Sequence, residues 1–142
     1  MAKELPKRSE VKEEYTWNLA DMYADIPAWE ADVTKIQEMT KELAKLEGMV
    51  CESAYSLLAA LEQNADIERI AYRAMNYASR LSDQDTTNTT HQAMSQKLHG
   101  IISNISSSLS FIEPEILEAD IATLEKFYAQ APGLELYRGL IE

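Results

Sequence analysis

The sequence predicts an all-α fold, a mostly antiparallel helical bundle of about five to six helices preceded by an extended N-terminal arm. Three observations carry that expectation. Only 4 Gly and 4 Pro punctuate 142 residues, too few for many short strands joined by tight turns. Apolar residues recur at steps of three and four over long stretches, the spacing that lines one face of a helix. Ser, Asp and Asn stand just ahead of several of these stretches, where a side-chain oxygen can accept from the unpaired amides of a first turn.

The expected division is an arm with a short helical turn over residues 1–27 and a helical lobe over residues 28–142. In the arm, Leu5 to Asn18 reads as extended chain. Asn18 or Asp21 caps a turn at Leu19 to Tyr23, and the rings of Tyr15 and Trp17 anchor the arm on the body. The first long helix begins near Ala28 and turns Trp29, Val33, Ile36, Leu43 and Leu46 inward, while Glu30, Asp32, Lys35, Glu38 and Lys41 meet water. Gly48 stops it, because glycine tolerates the positive φ common just past a helix end.

A short second helix follows Ser53, with Leu57, Leu58 and Leu61 inside, and ends at Asn64. A third, capped by Asp66, carries Ile67, Ile70, Ala74, Tyr77, Ala78 and Leu81 on one side. The fourth is expected to be the longest, from about Thr89 to Phe111, with Met94, Leu98, Ile101, Ile102 and Ile105 inward. Its four serines between Ser106 and Ser110 read as a surface for close helix approach. Pro114 suits the first turn of a further helix, where a missing amide proton costs nothing. Ile121 to Ala131 forms another around Leu124, Phe127 and Tyr128. Leu134 to Glu142 then opens a last one with Leu136, Tyr137, Leu140 and Ile141 apolar. So short a helix is stable only if something packs on it, so the chain is expected to be the N-terminal piece of a longer polypeptide.

Charge and composition exclude several function classes. The 13 Lys+Arg are dispersed among 24 Asp+Glu, a net charge of −11, which disfavours a nucleic-acid partner whose phosphates need clustered cations. One cysteine rules out an intramolecular disulfide framework and fits a reducing compartment. The charged start has no signal-peptide character. The most apolar stretch, Ile101 to Ile112, is interrupted by Ser103, Asn104, Ser106, Ser107, Ser108 and Ser110, so no membrane span is expected and the cytoplasm is the default location.

Candidate chemistry is sparse. His91 and His99 stand eight residues apart on one helix, ~12 Å, too far to share a metal ion. The run Asp83 to Asn88 opens like a calcium loop, but Asn88 replaces the sharp-turn glycine and Met94 the bidentate carboxylate, so a capping turn is the better account. Cys51 has no histidine or cation near it in sequence to lower its pKa. No catalytic and no metal-ligating residue is therefore expected. If any residue touches a substrate, the polar turn with Asp83, Asp85, Thr86 and Asn88 is the candidate, since connecting loops carry binding groups more often than packed faces do.

Four segments in register carry a family resemblance. Leu5-Pro6-Lys7-Arg8-Ser9-Glu10-Val11, followed by Tyr15-Thr16-Trp17-Asn18-Leu19-Ala20-Asp21-Met22-Tyr23, resembles the opening of oligoendopeptidase F, a bacterial zinc oligopeptidase family of the thimet-oligopeptidase type. Tyr77-Ala78 with Ser82 to Asn88, then Leu109 to Ile116, then Tyr137-Arg138 agree with it, while Gly139 departs from the pattern.

The resemblance implies a Zn2+ ion held by two histidines of a His-Glu-x-x-His helix and a downstream glutamate, with the motif's own glutamate activating water. That motif is absent from these residues, and the family, several times longer, keeps it in its C-terminal half. The chain would then be an N-terminal helical lobe, inactive alone and binding no metal. It would form part of the wall of a substrate channel that admits short peptides, with the rest of its own polypeptide as its partner. The rival reading is a self-contained helical interaction module. A module should be monomeric, whereas an excised lobe should self-associate through Leu136, Leu140 and Ile141.

Overall fold

The structure, a computed structural model, describes residues 6–141. Leu5 and Glu142, the outer ends of the expected arm and last helix, lie outside the described residues. All regular structure among the described residues is helical, as the sequence predicts.

The arm is a run of single 3-10 turns at Arg8–Glu10, Glu13–Tyr15 and Leu19–Asp21. Its expected anchors are corrected. Trp17 is 84% exposed and Tyr15 is also exposed, whereas Leu19 and Tyr23 are buried. Leu19 and Tyr23 lie one helical turn apart and so share the face that meets the body, and an Asn18 Nδ2 donation to Asp21 Oδ1 at 2.9 Å steadies the turn between them.

Helix α1 (Ile26–Leu43) starts two residues ahead of the expected Ala28. Asp25 accepts from the Ala28 amide at 2.8 Å and Pro27 occupies the first turn. It buries Trp29, Val33, Ile36, Thr40 and Leu43. Thr40 can lie in that stripe because its hydroxyl donates back to the Ile36 carbonyl at 2.7 Å. A 3-10 turn, Ala44–Leu46, unwinds α1, and Gly48 at φ +80° supplies the left-handed residue that turns the chain.

Helix α2 (Ala54–Gln84) is a single 31-residue rod and the longest helix, where the sequence predicted two helices with a break at Asn64. Its start is as expected: the Ser53 hydroxyl accepts from the Ser56 amide at 3.0 Å, and the Ser53 amide donates to the Ser56 hydroxyl at 2.9 Å. Asn64 instead spends its side chain within the helix, donating to Glu68 Oε1 at 3.1 Å, and Asp66 pairs with Arg69 at 3.0 Å. The apolar stripe runs in phase from Leu57 and Leu61 to Ile67, Ala71, Ala74 and Ala78. An asparagine costs a helix only about 0.7 kcal/mol, too little to break one buried on both flanks.

Helix α3 (Thr89–Ser108) returns antiparallel along α2, with the Asn88 side chain accepting from the His91 amide at 3.1 Å. It ends three residues short of the expected Phe111, where Ser110 donates its hydroxyl to the Ser107 carbonyl at 2.9 Å and competes with further helix. Helix α4 (Ile112–Glu118) carries Pro114 in its first turn, and α5 (Ile121–Gln130) is capped by Asp120 and buries Leu124, Phe127 and Tyr128. A 3-10 segment, Pro132–Tyr137, leads into the short α6 (Arg138–Ile141). Leu134 and Ile141 are buried, while Leu136 and Leu140 are exposed. Ile141 therefore does not belong to the exposed terminal face expected of it.

Both α1 and α3 pack on α2, and α5 with the following 3-10 segment covers the first half of α2. There the Tyr55 hydroxyl donates to the Gln130 carbonyl at 3.3 Å, and the chain passes Leu58 so closely that a Cβ on Gly133 would sit 3.2 Å from a Leu58 methyl. The Glu115 carboxylate on α4 accepts from the amides of Gly48 and of Val50 (3.0 Å), tying α4 to the turn after α1. No helix among the described residues is long and apolar enough to cross a membrane.

Candidate functional site

The turn between α2 and α3 gathers the four residues expected to face a substrate. Asp83, Asp85 and Thr86 are exposed and Asn88 is half-buried. Several of their polar atoms are engaged locally. Asp85 Oδ1 accepts from the Thr87 amide at 3.0 Å and its hydroxyl at 2.6 Å, the Thr86 carbonyl accepts from Gln92 Nε2, and Asp83 lies 3.4 Å from Arg80. The Thr87 hydroxyl and amide hold the Asp85 carboxyl below its ordinary range. Those hydrogen bonds favour the ionised form of Asp85, so the turn offers hydrogen bonds and negative charge.

A second polar cluster lies where the arm, α1 and α2 meet. The Tyr23 hydroxyl donates to Asp32 Oδ2 at 2.9 Å and accepts from Arg73 Nε at 3.2 Å, and Arg73 pairs with the same Asp32 oxygen. Arg73 also lies 4.9 Å above the Tyr23 ring, which meets Tyr77 edge-on at 5.2 Å. Burial pushes the Asp32 carboxyl up, but hydrogen bonds from Arg73 and Tyr23 and the charges of Arg73 and Lys35 outweigh it, and the pKa lies below the usual value. Burial is the largest cause raising the Tyr23 phenol. Every member of the cluster has its charge matched within it, which makes it a structural joint.

Neither cluster suits the zinc ion that the resemblance implies. No group of three or more His, Cys, Asp or Glu side chains among the described residues is arranged to hold a metal. His99 is exposed, and His91, half-buried, has Nδ1 3.2 Å from the Leu81 carbonyl. Cys51 is half-buried, and burial first, then the charge of Glu115, pushes its thiol up, which lowers its thiolate fraction and argues against a nucleophilic role.

What sequence reasoning missed is a groove of about 920 Å³ between α2, α3, α4 and α6. Tyr72 and Met75 line it from α2, Ile102 and Ile105 from α3, Leu117 from α4 and Leu140 from α6. The signal was present in part, because Tyr72 and Leu117 are apolar residues that fall off the inward stripes of their helices.

Comparison with known proteins adds the decisive observation. No family model matches the chain. Over 142 residues, 99% of this chain and 21% of the relative, it is 35% identical to oligopeptidase PepF of Bacillus subtilis. It is 30% identical to the group B oligopeptidase PepB of Streptococcus agalactiae, over 95% of this chain and 22% of that protein. The plasmid-borne oligoendopeptidase F of Lactococcus lactis is also 30% identical, over 95% and 23%.

The chain belongs to the oligoendopeptidase F family. It corresponds to an N-terminal region and spans about a fifth of the length of the curated relatives it matches. The crystal structure of oligoendopeptidase F from Enterococcus faecium superposes with a TM-score of 0.73 at 28% identity, covering 82% of this chain and 23% of that one. A solved structure from Chlamydophila abortus gives 0.80 at 21% identity over 97% of this chain and 23% of that one, a likeness of fold.

Proposed function

We propose that this chain is the N-terminal helical lobe of a cytoplasmic, zinc-dependent oligopeptidase, and that it helps to wall the channel in which the intact enzyme hydrolyses short peptides. The observation that carries this reading is the match of 99% of the chain to only 21% of a relative named as an oligopeptidase. The zinc ligands and the water-activating carboxylate are assigned to the rest of the polypeptide, in keeping with the lack of a metal-holding group among the described residues. The lobe alone is inactive. Its contribution is shape: α2, packed against α1, α3 and α5, presents a rigid wall, and the exposed turn with Asp83, Asp85, Thr86 and Asn88 meets the polar backbone or a cationic end of a bound peptide.

The test compares residues 1–142 with the longer polypeptide on a quenched fluorescent peptide. The expected result is cleavage by the longer chain only, abolished by a chelator and restored by Zn2+. Cleavage by residues 1–142 alone, or a longer chain that is inert with zinc present, would overturn the proposal.

A further inference from the structure

The groove between α2, α3, α4 and α6 is under-covered for its composition. In the first half of α3 Met94 and Leu98 are buried, but in the second half Ile101, Ile102 and Ile105 are only half-buried. Three large apolar side chains from three other helices open onto the same groove: Tyr72 is 70% exposed, Leu117 72% and Leu140 73%. Scattered exposed apolar residues are ordinary on any surface, but convergence of these on one groove marks an interaction surface.

Charge selects the occupant. Among the described residues, the formally charged side chains lining the groove are Glu68 and Glu113, and no Lys or Arg joins them. A second copy docking face to face would bring two acidic grooves together on chains of net charge −11, an arrangement that costs association free energy. Some four-fifths of the length of the curated relatives lies outside the matched region, so most of the polypeptide's surface is available to fill the groove in cis. An elongated cleft walled by helices accepts an amphipathic helix, whose apolar residues at i, i+3, i+4 and i+7 enter it while its flanks stay polar.

We propose that this groove seats an amphipathic helix with Lys or Arg on its flanks, supplied by the part of the same polypeptide that lies outside residues 1–142. The proposal rests on the lobe reading for the existence of that remaining polypeptide. Burying Tyr72, Leu117 and Leu140 under the helix would complete the cover of α3, and its basic flanks would pair with Glu68 and Glu113.

The experiment uses the intact polypeptide with benzoylphenylalanine in place of Leu117, of Leu140 or, as a control on the exposed arm, of Trp17. After irradiation, mass spectrometry identifies the cross-linked peptides. Positions 117 and 140 are expected to link within one chain to a common helix that has an apolar face and basic flanks. Glu68→Lys combined with Glu113→Lys is expected to lower that yield severalfold. Links between two copies, links to a segment without basic flanks, or a yield no higher than at position 17 would each overturn the proposal. Peptide hydrolysis is measured on the same preparations. An active enzyme without the cross-link sinks the groove assignment alone, while an inert, zinc-loaded chain with the cross-link sinks the peptidase reading alone.

Discussion

The indole N–H of Trp29 donates to the carbonyl oxygen of Ala74 at 2.9 Å, a buried bond across 45 residues that fastens the start of α1 to the second half of α2. A helical carbonyl has a second lone pair beyond the one used in its own helix, and this tryptophan uses it while its ring, 1% exposed, fills the space beside α2. Trp29→Phe keeps most of that apolar bulk but loses the bond, and a destabilisation of about 1–3 kcal/mol is expected by urea titration. Trp29→Ala should cost about 3–5 kcal/mol. Equal effects of the two substitutions would show that the hydrogen bond, and not the packing, carries the joint.

The continuity of α2 makes a sharp prediction at Asn64. Proline in the interior of a helix removes one hydrogen bond and collides with the preceding turn, at a cost of about 3 kcal/mol or more. Asn64→Pro should therefore lower the urea midpoint strongly, whereas Asn64→Ala should be neutral or slightly stabilising. Tolerance of the proline would mean that the chain does break there.

At the polar joint, Tyr23→Phe removes one hydroxyl from the pair with Asp32 and Arg73 and is expected to cost about 0.5–1.5 kcal/mol. The pH dependence follows from the direction of each shift. Asp32 has a lowered pKa in the folded state, so its contribution is present above the usual carboxylate range and is lost as pH falls through the folded value. Tyr23 has a raised pKa, so its contribution holds below the ordinary phenol value and fades as pH climbs from there through the folded one. Asp32→Asn should accordingly flatten the acid limb of a stability-against-pH curve and, because the Asp32 carboxylate helps to raise the Tyr23 phenol, shrink the alkaline limb as well. An unchanged acid limb would remove Asp32 from the account.

Glu115 should matter more for local order than its position on a seven-residue helix suggests. Glu115→Ala leaves the amides of Gly48 and Val50 without their acceptor, at a cost of about 1–3 kcal/mol, and Glu115→Gln, which keeps one oxygen, should cost less. The same carboxylate raises the Cys51 thiol, so Glu115→Gln should also speed modification of Cys51 by a disulfide reagent at mildly alkaline pH. A slower or unchanged rate would contradict that coupling.

The stripes of α1, α5 and the two halves of α2 were legible because a three-to-four spacing of Trp29, Val33 and Ile36, or of Leu124, Phe127 and Tyr128, depends only on local geometry. The cap at Ser53 was legible for the same reason, and so was a capping role for the Asp83 to Asn88 turn, though not which of its residues caps α3. What failed was arbitration between local signals and tertiary support. Asn64 and Asp66 look like a stop and a start, yet burial on either side overrides both. Tyr15 and Trp17 look like anchors, yet exposure depends on where the body happens to lie, which no periodicity records. The turn from Asp83 to Asn88 could be picked out as polar and connecting, but that its acceptors are largely spent on Thr87, His91 and Gln92 could be seen only in three dimensions. The groove was hidden for a related reason, since it is made by four helices whose separate sequences each look complete.

An unbroken α2 also has a mechanical consequence. At 31 residues it is ~46 Å long, with the Tyr55 and Leu58 contacts near its start and the Tyr23 joint at Arg73, about two thirds of the way along. Over the ~27 Å between Tyr55 and Arg73 a straight lever converts a tilt of about 5° at one contact into a swing of ~2.4 Å at the other, nearly half a turn of helix. Whatever leans on the far tip is therefore geared to the arm.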